Sequence, residues 1–466
     1  MNRTAQRWQA RTRNGGRWVL LGSLVYAPWA YGCTTVATLR GLNWILAASL
    51  VLWLFAETSA RLGDDKGRGV EAVPTLLLVA GSSLLIIGWW MVANARWIYD
   101  SDFLLFVARK GLIGSAPGSV DYPISRAWMV RTVLLFGAAL VAAQLCRDPV
   151  WLLRLWWTLA LSGGSIALLG LMQKANGAWM IFWEHSEIPV GTFFATYYAH
   201  GNAGAYLNLV FPFSATLALR CFLRKGSPVA RAVALVTCLL VMVAIVSNTS
   251  RAGQAIGAIL LFGLWIFLRD LVFSRMRRIE RKTLIFAFAI IGFALIAIAG
   301  VSQLDRSLGR WQQFENRVSS DSRWLAARAG TRAIQDAGLL GFGPGTFRVV
   351  FPYYTNGLGP RVGGFWRFLH QDYLQTIIEW GWIGSAGWAF VFLGAIWVAI
   401  KTLRDGNGVS LSGRQRLFLT ASLLALVGVA LHALVDFPLQ IASLQLYVAT
   451  CVGVCWGLRP RPERIG

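Results

Sequence analysis

The chain has 466 residues, 56% of them hydrophobic and only 14% charged, with a mean hydropathy of +0.54. A soluble domain of this length carries roughly a quarter charged residues, so an ordinary water-soluble globule is excluded. The formal charge of +23 would suit a nucleic-acid binder, but the basic residues lie between apolar spans and no nucleic-acid motif accompanies them. Positive-inside loops lying on anionic membrane lipid account for the charge instead.

Apolar runs long enough to cross about 30 Å of hydrocarbon recur along the whole chain. They predict twelve spans, at 18–36, 42–57, 74–94, 127–146, 149–172, 202–222, 231–248, 252–268, 284–302, 377–400, 417–435 and 438–457. The first follows a basic stretch but has no small-residue cleavage site, so it reads as a retained helix. The six cysteines lie in or beside spans and form neither a disulfide framework nor a metal-ligand spacing.

Lys and Arg cluster in alternate loops. Arg3, Arg7, Arg11, Arg13 and Arg17 lead, and further groups follow around Arg61–Arg68, Arg224–Arg231, Arg269–Lys282 and Lys401–Arg416 and in the tail from Arg459. An even number of spans puts all of these on one face, so both termini are expected in the cytoplasm. Residues 95–126, 173–201 and 303–376 then lie outside. The last is rich in Trp, Tyr and Phe. Residues 322–337 have helical spacing, with Trp324, Ala327 and Ile334 on one side, and glycines and prolines break the chain beyond them. A small folded cap of short helices is expected there.

That cap runs against the charge rule. Between Asp305 and His370 every basic residue is Arg, including Arg310, Arg323, Arg328 and Arg332. Two readings are open: a solvated surface balanced by headgroups, or an anion site, since the guanidinium fork matches phosphate oxygens. Arg251, in SNTSRAGQ at a junction of two spans, either snorkels to headgroups or is fixed in a polar cavity. His370, in FLHQDYLQTIIEWGWIG, is either structural or a proton-transfer group, with Gln371 or Glu379 able to orient its ring. GFGPGTF at 341–347 lacks the Lys-Ser/Thr of a phosphate loop and reads as a tight turn. His200 and Asn202 open the sixth span as a cap or a cavity wall. His432 and Asp436 are four apart and read as a structural pair.

HGNAGAYLNLVFPF at 200–213, SNTSRAGQAIG at 247–257, and the stretch from Arg323 through GFGPGTF to HQDYLQTIIEWGWIG together resemble the O-antigen ligase and polymerase superfamily. Its members are integral membrane glycosyltransferases acting on polyprenyl-diphosphate-linked glycans. The likeness covers about residues 190–400, and the first 190 match only in being several membrane helices. It implies an all-α polytopic bundle of about twelve helices, GT-C-like in type, with a large helical periplasmic loop. The chain then divides into N-terminal helices 1–190, a ligase-like core 191–400 and C-terminal helices with a basic tail, 401–466.

The resemblance assigns Arg251 and Arg323 to the diphosphate of the lipid donor and His370 to activation of the acceptor hydroxyl. Asn202, Arg310, Arg328 and Gln371 are the further cavity-lining candidates, and no metal or other cofactor is implied. Where the family often has Asn-Arg-Asn-His or Asn-His-Asn, this chain has Ala199-His200-Gly201-Asn202, which leaves Asn202 the better match. The expected acceptor is lipid A-core, as for a ligase; a saccharide (polymerase) or a protein (O-oligosaccharyltransferase) is the alternative. The expected location is a bacterial inner membrane, with the site periplasmic. A transporter is the competing class. It predicts internal repeats and ionisable residues near mid-membrane, whereas the halves show no similarity and the polar residues gather at one face.

Overall fold

The structure is a computed structural model describing residues 3–62, 74–100, 102–103, 105–184, 193–223, 227–276, 322–356, 362, 366–404 and 411–458. The helices are α1 (Arg3–Trp29), α2 (Val36–Leu62), α3 (Thr75–Ala93), α4 (Tyr122–Leu145), α5 (Pro149–Ala175), α6 (His200–Leu223), α7 (Pro228–Ser247), α8 (Arg251–Met276), α9 (Ser322–Ala337), α10 (Phe347–Thr355), α11 (Asp372–Arg404), α12 (Gly413–His432) and α13 (Ala442–Gly457). Nine of the described helices, α2 to α8 with α11 and α12, are long and apolar enough to cross a membrane. This is an all-α polytopic membrane protein.

Two expected spans come out differently. The run at 18–36 ends at Trp29, where Pro28 and Gly32 intervene, and α1 instead reaches back through the basic residues to Arg3. Helical hydrogen bonding needs no apolar side chain, so the hydropathy window misplaced both ends. The run at 438–457 yields only the 16 residues of α13. The expected span 284–302 and Arg310 lie outside the described residues. Residues 95–126, expected outside the membrane, contain an antiparallel hairpin of β1 (Trp97–Asp100) and β2 (Leu105–Ala108).

Helices α4, α6, α12 and α13 form the buried centre, while α2, α3, α7, α8 and α11 present Trp44, Val51, Phe55, Ile86, Phe262 and Trp397 outward. Several buried polar groups near the centre satisfy one another, as the bilayer favours. The Tyr447 hydroxyl donates to the Leu24 carbonyl at 2.7 Å, and the Tyr206 and Tyr447 hydroxyls both reach Ser162 Oγ at 3.0 Å.

The cap has its own small core of Ala326, Ala329, Ala333, Phe347, Phe351, Val362, Leu369 and Ile378. Helix α9 forms over 322–337 as its spacing predicts, but it buries Ala326, Ala329, Gly330, Ala333 and Ala337 and leaves Trp324 exposed. The small face wins because α9 lies close on α11: a β-carbon on Gly330 would stand 2.9 Å from Leu369.

The cap is stitched into a break in α11. Gly381 adopts φ +63° and ψ −170°, so the helical ladder lapses there. The carbonyls of Ile378 and Glu379 are taken up by Phe342 N (3.0 Å) and Gly343 N (2.9 Å), and Ile383 N donates to the Leu339 carbonyl at 3.1 Å. The Glu379 carboxylate also accepts from Gly345 N at 3.0 Å and Phe347 N at 3.3 Å. Gly341, Gly343 and Gly345 all have positive φ, which is the tight turn that GFGPGTF predicts.

Candidate active site

His370 stands at the head of α11 with φ +61°, in the left-handed region that costs a non-glycine residue about 1–3 kcal/mol. Its ring is fixed on two sides. Nδ1 lies 3.0 Å from Asp436 Oδ1, and the ring meets Phe437 edge-on at 4.5 Å between centroids, with Trp366 at 5.9 Å. An N–H donated from Nδ1 to Asp436 leaves the Nε2 lone pair as the proton-accepting position, the arrangement a general base requires.

Asp436 is sixty-six residues away in sequence, and a second acid holds it in place. Asp372 is fully buried, and its carboxylate accepts from Leu439 N at 2.8 Å and Gln440 Nε2 at 3.0 Å, while its own N–H donates to the Ala433 carbonyl. The head of α11 is thereby clamped to the 433–440 turn. Burial pushes the Asp436 carboxyl up. The hydrogen bond from His370 and the positive field of Arg323 outweigh it, so the group sits below the usual carboxylate range.

The orienting group is therefore Asp436, not the two expected. Gln371 Oε1 accepts from Leu374 N and caps α11, and Glu379 is committed to the glycine turn. His432 and Asp436 do not pair through their side chains. Asp436 N bonds the His432 carbonyl, and the buried His432 ring nitrogens have no partner among the described residues.

Arg251 begins α8. The polar run before it is spent on the turn rather than on lining a cavity. Asn248 Nδ2 donates to the His200 carbonyl at 3.0 Å, Asn248 Oδ1 accepts from Ser250 N, Ser250 Oγ accepts from Gly253 N, and Lys174 Nζ donates to the Ser247 carbonyl. These bonds tie the α7–α8 corner to the start of α6. Close backbone approach explains the glycines of both motifs. A β-carbon on Gly204 would stand 3.3 Å from the Gly253 Cα, and one on Gly201 would stand 2.3 Å from Asp436 Oδ2. Helix α6 thus carries the Arg251 corner at one turn and the His370–Asp436 pair at the turn before it.

Arg323 is on the first turn of α9, and its charge is felt at Asp436 and His432. Arg328 and Arg332 are exposed on the same helix, and Asn202 is buried on α6. A cavity of about 580 Å³ also opens at the cap end, beside Phe368 and Gln375. Neither Arg251, Arg323 and His370 nor Asn202, Arg328 and Gln371 line it. Its arginines are Arg40, Arg126, Arg131, Arg348 and Arg367. Among the described residues no cluster of His, Cys, Asp and Glu has the makings of a metal site.

Residues 236–389 match the family model for O-antigen ligase. The match supports the O-antigen ligase and polymerase superfamily and a ligase-like role in glycan transfer for polysaccharide biosynthesis, that is, a glycosyltransferase-type enzyme. The matched segment holds Arg251, Arg323 and His370, whereas Asn202 and Asp436 fall outside it. No curated protein matches the chain.

Sequence reasoning missed the tie between His370 and Asp436. Its signal was half visible, in an acid at a span end beside a buried His. Of the five cavity arginines, Arg348 and Arg367 belong to the all-Arg stretch before His370, whereas Arg40, Arg126 and Arg131 carried no pattern that joined them to it.

Proposed function

We propose that the chain transfers a preassembled glycan from a polyprenyl-diphosphate donor to an acceptor hydroxyl, at the periplasmic face of a bacterial inner membrane with both termini cytoplasmic. Residues 191–400 form the catalytic core, and Asp436 is contributed from the C-terminal helices. His370 Nε2 takes the proton from the acceptor hydroxyl. The oxygen attacks the anomeric carbon, the bond from that carbon to the diphosphate oxygen breaks, and polyprenyl diphosphate leaves. Arg251 and Arg323 hold the charge that builds on the leaving group, a preorganised electrostatic contribution that needs no rearrangement during the step. Asp436 keeps the His370 ring in the proton-accepting orientation and stabilises its protonated form.

The observation that carries this reading is the 3.0 Å His370–Asp436 hydrogen bond, with the Arg323 charge at the same carboxylate, next to a segment matching O-antigen ligase. The test is a transfer assay with purified protein and lipid-linked donor, offering lipid A-core, free repeat unit or a protein as acceptor. Transfer to lipid A-core is expected to be fastest, making the enzyme a ligase. Arg251→Ala, Arg323→Ala and His370→Ala should each abolish transfer while the protein inserts normally. Unchanged transfer in all three would falsify the assignment.

A further inference from the structure

The 580 Å³ cavity at the cap end has no part in the proton transfer described above, since His370 is turned toward Asp436 and does not line it. Its charge is unusual. Five guanidinium groups converge on it from α2 (Arg40), α4 (Arg126, Arg131), α10 (Arg348) and the stretch before α11 (Arg367). The one acid among the lining residues, Glu379, already accepts two backbone N–H bonds and one from Gln375 Nε2. None of the five arginines forms an ion pair among the described residues.

Two of them sit over aromatic rings, Arg131 Cζ over Trp128 at 3.8 Å and Arg367 Cζ over Phe368 at 5.5 Å. Arg131 is also buried, with only 7% of its surface exposed. Burial and the neighbouring charge of Arg348 hold the Arg367 guanidinium below its usual range, so the cluster is repelling itself. Such a cluster is stable with an anion in it.

The remaining walls indicate what kind of anion. Val36, Leu39 and Val130 line the cavity, and Val36 at the start of α2 and Val130 about two turns into α4 are also exposed on those membrane helices. An opening of this sort admits a molecule with an apolar tail. The volume lies within the roughly 300–1,000 Å³ of typical small-molecule sites, far more than one inorganic ion needs.

We propose that this cavity binds the phosphate-bearing headgroup of a membrane lipid, as a second anion site separate from the one formed with Arg251, Arg323 and His370. The guanidinium edges take the phosphate oxygens in bidentate fashion, and the valine-lined mouth takes the first part of the acyl chains.

The experiment uses the full chain in alkyl maltoside micelles, which carry no phosphate. Sodium pyrophosphate, short-chain phosphatidylglycerol and a diphosphorylated glycolipid are titrated separately into wild type and into an Arg40→Gln/Arg126→Gln variant, whose two sites are exposed. At least one probe should bind wild type and lose affinity about tenfold or more in the variant, and a His370→Ala protein should bind as wild type does. Binding of pyrophosphate alone assigns the site to the phosphate chemistry, and binding of the lipids alone assigns it to the whole headgroup. A photoreactive phosphatidylglycerol offered to wild type should label peptides spanning 36–43 and 122–131, which gives an answer even where the variant does not fold. Equal affinities in wild type and variant, or labelling confined to other segments, overturns the proposal. Loss of transfer activity plays no part in this readout, so the two assignments stand or fall separately.

Discussion

His370 and the arginine-lined cavity lie close together at the cap end, yet the two handle charge in opposite ways. At His370 each charged group has a counterpart. The imidazole meets Asp436, the Asp436 carboxylate feels Arg323, and Asp372 is saturated by Leu439 N and Gln440 Nε2. In the cavity, five arginines face a single lining acid, Glu379, which interacts with the Arg131 charge and is hydrogen-bonded to the glycine turn. A site that moves a proton needs its groups held to within a fraction of an ångström, and paired charges in a low-dielectric setting supply that rigidity. A site that receives an anion is built the other way, with positive charge left uncompensated until the ligand arrives.

The comparison breaks most directly at Asp436. Asp436→Asn should lower transfer by about 10²–10⁴-fold, because the amide no longer favours the tautomer with Nε2 free, while lipid binding in the arginine cavity stays unchanged. The pH dependence of stability adds a second readout. The folded-state carboxyl titrates below its unfolded value of about 3.9, so its contribution is present above that pH and disappears as pH falls through the lower folded value. Thermal unfolding of wild type and Asp436→Asn should therefore differ at pH 6, and the difference should shrink as the pH is lowered below the unfolded-state value. Equal melting temperatures at pH 6 would sink the positioning role.

A smaller effect is expected at Gly201. A β-carbon there would press on Asp436 Oδ2 from 2.3 Å, so Gly201→Ala should displace the carboxylate and cost up to about 10²-fold in transfer, with the His370 ring misplaced rather than lost. A crystal or cryo-EM structure of the variant showing an intact 3.0 Å bond and full activity would count against it. The smallest effect is at His370 itself. Both His370→Gly and His370→Ala remove the imidazole, but glycine relieves the left-handed backbone, so the Gly variant should be about 1 kcal/mol more stable than the Ala variant by denaturant unfolding. Equal stabilities would mean that φ +61° stores no strain.

Nine of the twelve expected spans were legible because each is a long apolar run, and the helix at 322–337 and the glycine turn were legible because both depend on local spacing. The misses have a common cause. The hairpin at 97–108 has strands of four residues, too short for alternation to register, and α9 turned its small residues inward because α11 lay close by, which no local pattern reveals. Arg251, Arg323 and His370 stood out singly. The partner of His370 did not, because Asp436 reaches it only through the clamp made by Asp372, and neither acid is near the other in sequence.

The break at Gly381 has a mechanical consequence. The carbonyls it releases in α11 are held by the backbone of 341–343, so the glycine turn and the long helix are one stiff lever. One arm of that lever ends at His370, and the other passes through Gly345 to Arg348 in the cavity wall. A displacement of Arg348 would therefore load the root of the helix that carries His370. The covalent chain and five backbone-directed hydrogen bonds thus join the cavity wall to the stretch that carries His370.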